Sequence, residues 1–144
     1  MITTRTYHRY FSIKKFLPLF CELYPHKTPD ILKKELKILA KNKHYKLLVT
    51  FYNNTPVAIA SLTEGFLLYC NKYLQISNLY VNKQHRNLGI AKSLINQAEK
   101  HAKDSQCKCI MLDSYVTNKT SHQTYFREEF EIKAYHFIKT ITND

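Results

Sequence analysis

The chain has 144 residues, 44% of them hydrophobic and 13% aromatic, which is enough for one packed core. Lysine and arginine outnumber acidic residues 22 to 11, and the net charge of +11 is spread along the chain rather than gathered in a tail. No apolar run approaches the roughly 20 residues of a membrane span, and residues 1–9 are too polar and basic for a signal-peptide apolar region, so one cytoplasmic domain over residues 1–144 is expected.

In chain order, Ser12 stands where it can cap a helix over residues 13–24, with Phe16, Leu17, Phe20 and Leu23 on one face and Pro18 near its start. Thr28-Pro29-Asp30 is a stronger helix start, a cap followed by proline at the first helical position, leading into Ile31, Leu32, Leu36 and Leu39. Residues 45–52 are β-prone, Asn53-Asn54 reads as a hairpin turn, and residues 56–62 return as the second strand. A third strand is expected over residues 73–81. Its apolar phase slips, with Leu74 and Ile76 on even positions and Leu79 and Val81 on odd ones. Either a β-bulge near Ser77-Asn78 restores the phase, or the strand is buried on both faces.

Residues 86–106 read as an amphipathic helix with Ala91, Leu94, Ile95, Ala98 and Ala102 inward. A short buried strand over residues 109–112, a helix over 118–128 and a last strand over 134–141 complete the order α-α-β-β-β-α-β-α-β, with room for one further strand at the start. That order specifies a mixed α/β layered sheet. The four cysteines, Cys21, Cys70, Cys107 and Cys109, lack zinc-site spacing and are expected to be reduced thiols, and no metal is expected.

The chain has only two glycines, and one of them, Gly89, falls between the third strand and the long helix, in Arg86-Asn87-Leu88-Gly89-Ile90-Ala91. A strand, a turn with glycine and a helix N-terminus together expose backbone N–H groups at the positive end of the helix dipole, which suits a pyrophosphate. Neither a P-loop nor a Gly-x-Gly-x-x-Gly dinucleotide pattern is present.

Leu79-Tyr80-Val81 followed by Gln84-His85-Arg86-Asn87-Leu88-Gly89-Ile90-Ala91 resembles the acetyl-CoA-binding motif of the GNAT superfamily of N-acetyltransferases, over most of the chain and least before Lys46. The resemblance implies a mostly antiparallel central sheet, flanked by helices and splayed between the strands ending at Val81 and starting at Cys109. It implies that Leu79, Tyr80 and Val81 hold the pantetheine arm, that an N–H near Leu79 polarises the thioester carbonyl, and that Arg86, Asn87, Leu88, Gly89, Ile90 and Ala91 hold the pyrophosphate. Asn118 and Tyr125 match the family's asparagine and the tyrosine seven residues later, so both are assigned to the cofactor site and Tyr125 to protonation of the departing thiolate. Glu129 stands where the family ends this helix with glycine, at a cost of roughly 1 kcal/mol if the left-handed conformation is kept. Candidates for the general base are Asp113, His122 and Glu64.

The implied function is transfer of the acetyl group of acetyl-CoA to a primary amine by direct attack in a ternary complex. Ser121-His122 and the closing segment also resemble bacterial aminoglycoside 6-prime N-acetyltransferases, yet a polycationic acceptor calls for carboxylates, and the third strand offers Gln75, Ser77 and Asn78 instead. The basic surface favours an anionic or RNA-linked amine, such as charged tRNA, or an acidic protein. A non-catalytic CoA-binding or RNA-binding module is the alternative, nucleic acid is an optional partner, and a homodimer is an open option.

Overall fold

The computed structural model describes residues 1–143, which divide into two compact units, Met1–Leu112 and the residues from Asp113 onward. The first unit contains β1 (Ile2–Tyr7), α1 (Tyr10–Ile13), α2 (Leu17–Leu23), α3 (Pro29–Lys41), β2 (Tyr45–Tyr52), β3 (Thr55–Leu67), β4 (Asn71–Val81), α4 (Ile90–Asp104) and β5 (Cys109–Leu112). Among the described residues one sheet forms, in the order β1-β2-β3-β4-β5, antiparallel throughout except for the parallel β4–β5 pair. The further strand for which the sequence leaves room is β1.

The alternation of β2 divides the core. Leu47 and Val49 join Ile13, Phe16, Phe20, Leu32 and Leu36 beneath the three N-terminal helices. On α4, the residues one and two turns apart, Ile90, Leu94, Ile95, Ala98 and Ala102, are buried as its amphipathic pattern requires, whereas Ala91 is half-buried. The helix makes contacts with all five strands. Burying a leucine or isoleucine side chain contributes about 1.5–3 kcal/mol, so these two apolar layers hold the sheet between the helices.

The expected helix over residues 13–24 is instead two helices. It starts early, at Tyr10, and Ser12 lies inside it rather than capping it. It then tightens into a 3-10 turn at Lys14–Phe16, because Pro18 has no N–H to continue the ladder and occupies the start of a fresh helix, α2. The α3 start is as expected: Thr28 accepts the Ile31 N–H at 3.3 Å and Pro29 follows. Ile31, however, faces outward on α3.

Only one glycine takes a positive φ here, and asparagine fills most other left-handed positions: Asn53, Asn54, Asn71, Asn78 and Asn87, with Gln106 and Glu129 besides. Asn53 and Asn54, both with positive φ, make the tight turn between β2 and β3 in the form that matches strand twist.

Two expectations for the C-terminal third fail. β5 is half-buried along its length rather than buried, as befits the last strand of a sheet. No strand forms over residues 134–141; after α5 (Lys119–Arg127) the described residues have no regular secondary structure. A strand needs a neighbour for its N–H and C=O groups, and this segment pairs with no strand among the described residues.

Candidate active site

β5 is paired with β4 along its whole length, and β4 runs on past its end. β4 pairs with β5 only from Tyr73 to Ile76, opposite Cys109 to Leu112, so residues 77–81 have no β5 partner. On the other side of the same stretch the register to β3 steps from Ser61↔Ser77 to Ile59↔Tyr80, placing Asn78 and Leu79 against the single residue Ala60. This is the bulge that the phase slip requires, and Asn78 takes the left-handed conformation within it, with φ 51°.

A chain of hydrogen bonds fixes the bulge. The buried Tyr45 hydroxyl and Ser61 Oγ are 2.7 Å apart, Asn78 Nδ2 donates to Ser61 Oγ at 3.0 Å, and Tyr24 donates to Asn78 Oδ1. Burial pushes the Tyr45 phenol up to about 12, against the opposing effect of the Ser61 hydrogen bond, so it remains a neutral structural group.

Beyond β4 the chain turns through a 3-10 helix, Lys83–His85, capped by Asn82 Oδ1, which accepts the Gln84 N–H at 3.0 Å. Arg86 folds back, its Nε donating to the Val81 carbonyl at 3.1 Å and its guanidinium lying 5.8 Å from the Tyr80 ring centre. Asn87 and Gly89 both have positive φ, 63° and 76°, and α4 starts at Ile90 with no acidic residue in its first turn. A Cβ added at Gly89 would meet nothing within 4 Å. Open space, first-turn N–H groups without intrahelical acceptors, and Arg86 and Lys92 nearby in sequence form a cradle that fits a diphosphate. The helix expected from residue 86 begins four residues later because this loop takes up residues 86–89.

In the second unit, Asn118 caps α5 by accepting the Ser121 N–H at 3.4 Å. His122 Nε2 lies 2.9 Å from the Tyr115 carbonyl; a carbonyl only accepts, so Nε2 carries the proton and Nδ1 is the basic nitrogen of the neutral ring. Asp113 Oδ2 is 3.1 Å from His136 Nδ1. Burial pushes the Tyr125 phenol above its ordinary value, opposed by a Ser121 hydrogen bond, which keeps it protonated at neutral pH.

Glu129 does occupy the glycine place, with φ 67°. The Phe130 N–H donates to the Tyr125 carbonyl at 3.0 Å and the Glu129 N–H to the Phe126 carbonyl at 3.1 Å, the paired bonds of a Schellman ending. The apolar contact that accompanies such endings is the Tyr125–Phe130 ring pair, with centroids 6.0 Å apart. Glutamate therefore keeps the helix end that glycine would make, and Tyr125 is held by it.

The profile of the Acetyltransferase (GNAT) family matches residues 10–130. The chain belongs to the GNAT acetyltransferase family. It is accordingly an acyltransferase with the mixed α/β GNAT fold. None of the curated proteins matches its sequence. Among solved structures, the aminoglycoside N-acetyltransferase AAC(6')-Iy in complex with CoA is 14% identical, with a TM-score of 0.85 over 98% of this chain and 95% of that one. A ribosomal-protein-alanine N-acetyltransferase from Brucella melitensis biovar Abortus 2308 is 16% identical, with a TM-score of 0.83 over 99% of this chain and 100% of the other. A GNAT family acetyltransferase of Staphylococcus aureus is 23% identical, with a TM-score of 0.78 over 97% and 98% of the two chains.

Within this GNAT chain, Leu79, Tyr80 and Val81 share the stretch of β4 without a β5 partner, and Arg86 to Ala91 the loop and first turn of α4. Asp113, Asn118, His122 and Tyr125 gather in the second unit. Glu64 is not at that end: it lies opposite Leu74 on β3, 3.5 Å from Lys72. Burial opposes its ionisation, but the Ser105 hydrogen bond and Lys72 outweigh that and hold it below the usual carboxylate range. A paired carboxylate at the closed end is a poor base for the open one.

One residue escaped the sequence reading. Glu22, exposed on α2, accepts from Asn82 Nδ2 at 2.6 Å, and the Tyr80 phenol is pushed up by burial and by the Glu22 charge, against Arg86. The contact spans 60 residues, and no local pattern marks it.

Proposed function

We propose that this GNAT protein transfers the acetyl group of acetyl-CoA to a primary amine within a ternary complex, its residues 1–144 acting as one catalytic domain in the cytoplasm. The observation that carries the reading is the stretch of β4 without a β5 partner, which contains the bulge and leads through the 3-10 turn to the Gly89 loop. Backbone groups of Leu79 and Val81 bind the pantetheine amides, and Arg86, Asn87, Leu88, Gly89, Ile90 and Ala91 bind the pyrophosphate. A structural neighbour solved with CoA supports the cosubstrate. Reduced cysteines, all four of them free, agree with a cytoplasmic setting, and no described helix is long and apolar enough to cross a membrane.

In the reaction the amine nitrogen attacks the thioester carbonyl carbon, the N–C bond forms, and the C–S bond breaks as the tetrahedral intermediate collapses. Tyr125, protonated at neutral pH, gives its proton to the departing sulfur, and its helix-end anchorage holds it for that role. The proton leaving the amine goes to a base, for which Asp113, His122 and Glu22 are the candidates. Glu22 is the carboxylate bonded at the end of β4, a setting for one ammonium group rather than a polycation.

The test is calorimetric titration with acetyl-CoA, followed by thiol release in the presence of an aminoglycoside, a polyamine, N-terminal peptides and charged tRNA. Binding with turnover on one amine supports the reading and names the acceptor class. Binding without turnover on any would leave a CoA-binding module, and no binding would overturn the site and favour an RNA-binding role for the basic surface.

A further inference from the structure

The hairpin between β3 and β4 outruns its neighbours. On one side β2 starts at Tyr45, opposite Thr63, and on the other β5 starts at Cys109, opposite Tyr73, while the β3–β4 ladder continues to Leu67↔Asn71. The ribbon passes Thr63 by four residues and Tyr73 by two, which at about 3.3 Å per residue sets its end roughly 7–13 Å beyond the flanking strands. It is stiff. The Tyr73 ring lies so close over Gly65 that a Cβ there would collide with it, and the Cys70 N–H closes the turn on the Leu67 carbonyl at 3.2 Å.

The tip of this ribbon is apolar. Tight turns are ordinarily filled by glycine, asparagine, aspartate, proline or serine. Here Phe66, Leu67, Leu68 and Tyr69 follow one another, and Leu68 and Tyr69, the central pair of the turn, are 94% and 80% exposed. Around the base of the ribbon, at the same end of the sheet, stand Arg9 after β1, Lys41 and Lys43 before β2, Lys72 at the start of β4 and Lys108 before β5. Lys108 is tied there by its N–H, which donates to the Lys72 carbonyl at 2.7 Å. Of the acidic residues, Glu64, already paired with Lys72, and Asp104 at the end of α4 belong to this end.

Shape and charge choose the occupant. Four side chains on one hairpin fall short of the roughly 20–30 residues that each side of a standard protein interface contributes, and a convex tip needs a hollow to receive it. Tip against tip in a second copy would bring two basic collars together. A bilayer surface yields to a convex apolar tip, and an anionic one attracts the collar. Interfacial apolar groups are buried roughly 5–10 Å into the headgroup boundary, a depth that the ribbon can reach.

We propose that the β3–β4 hairpin seats the protein on an anionic lipid surface, with Leu68 and Tyr69 entering the headgroup boundary and the basic collar lying against the lipid phosphates. The chain then lies on the membrane without crossing it. β4 runs 11 residues from Asn71 to Val81, roughly 30 Å, so with the ribbon upright the Gly89 loop beyond its far end stays in water.

The experiment is co-sedimentation of the full chain with vesicles of phosphatidylcholine alone and of phosphatidylcholine with about one third phosphatidylglycerol. Binding is expected on the anionic vesicles, at least about tenfold above the neutral ones, and falling with added salt. Leu68→Ser with Tyr69→Ser is expected to lower partitioning on anionic vesicles by at least about tenfold with the Tm unchanged. Lys43→Ala with Lys108→Ala is expected to lower it by about 25-fold, near fivefold for each cation. The chain has no tryptophan, so Tyr69→Trp supplies a single reporter, whose emission should shift to the blue on anionic vesicles and be quenched by brominated acyl chains. That variant keeps an aromatic residue at the tip and remains decisive if the serine pair fails to fold. Absence of binding to anionic vesicles overturns the proposal, as does an unshifted emission from the reporter in bound protein. Binding that survives the serine pair in a folded protein overturns it in favour of the basic surface alone, and a tip-dependent dimer in place of vesicle binding overturns it in favour of a protein contact.

Discussion

Substituting Gly89 separates backbone strain from loss of the anion site. Gly89 has φ 76°, and a Cβ there meets nothing within 4 Å, so Gly89→Ala introduces strain without a clash. A left-handed non-glycine residue costs about 1–2 kcal/mol, which lowers the Tm of a chain this size by about 3–8 °C. Gly89→Asn should cost less, because asparagine enters that region more readily. Gly89→Glu carries the same strain, relieved by a few tenths of a kcal/mol since its charge lies at the positive end of the α4 dipole. Its carboxylate, however, enters the open space proposed for the pyrophosphate. Two like charges about 4 Å apart at an effective dielectric near 20 repel by about 4 kcal/mol, close to a thousandfold in Kd. Thermal unfolding and calorimetry on the three variants should therefore show similar stabilities for alanine and glutamate, acetyl-CoA binding retained with alanine and asparagine, and none measurable with glutamate. Equal acetyl-CoA affinity for the alanine and glutamate variants would refute the placement of the diphosphate.

Tyr125→Phe should lower kcat by about 10²–10⁴ with acetyl-CoA affinity unchanged. Because the Tyr125 pKa is raised, the acid form persists through neutrality and is lost only above the ordinary tyrosine value; a wild-type alkaline limb that survives in the phenylalanine variant removes Tyr125 from the mechanism. Glu129→Gly should stabilise the protein by about 0.5–1 kcal/mol in urea unfolding, the relief of the left-handed strain less the added freedom of the unfolded chain. Ser61→Ala should cost about 1–3 kcal/mol by leaving the buried Tyr45 hydroxyl without its partner, and adding Tyr45→Phe should recover part of it; a second substitution that only adds to the loss argues against the Tyr45–Ser61 bond as its cause.

Features written in short-range patterns were legible in the sequence. The α4 stripe, the Asn53-Asn54 turn, the Thr28-Pro29 start and a bulge near Ser77-Asn78, found at Asn78-Leu79, each follow from residues within one turn or one ladder step of one another. So was the Gly89 loop, because a glycine among so few stands out. What was not legible depends on partners far along the chain. The bonds of Tyr24 to Asn78 and of Asn82 to Glu22 cross 54 and 60 residues, and they decide how α2 meets the end of β4. Pro18 was visible, yet the apolar face running through it outweighed its effect in the reading, and the structure breaks the helix there. The strand expected over residues 134–141 shows the same limit from the other side: β-prone composition states a capacity to pair, and pairing requires a neighbour that composition does not name.

Among the described residues, five of the seven non-glycine residues with positive φ are asparagines, and one of them opens the bulge while another shares a loop with Gly89. Asparagine enters the left-handed region more readily than most residues, so it supplies these torsions in a chain with two glycines. In a chain with so little glycine, asparagine is the second spelling of a left-handed torsion.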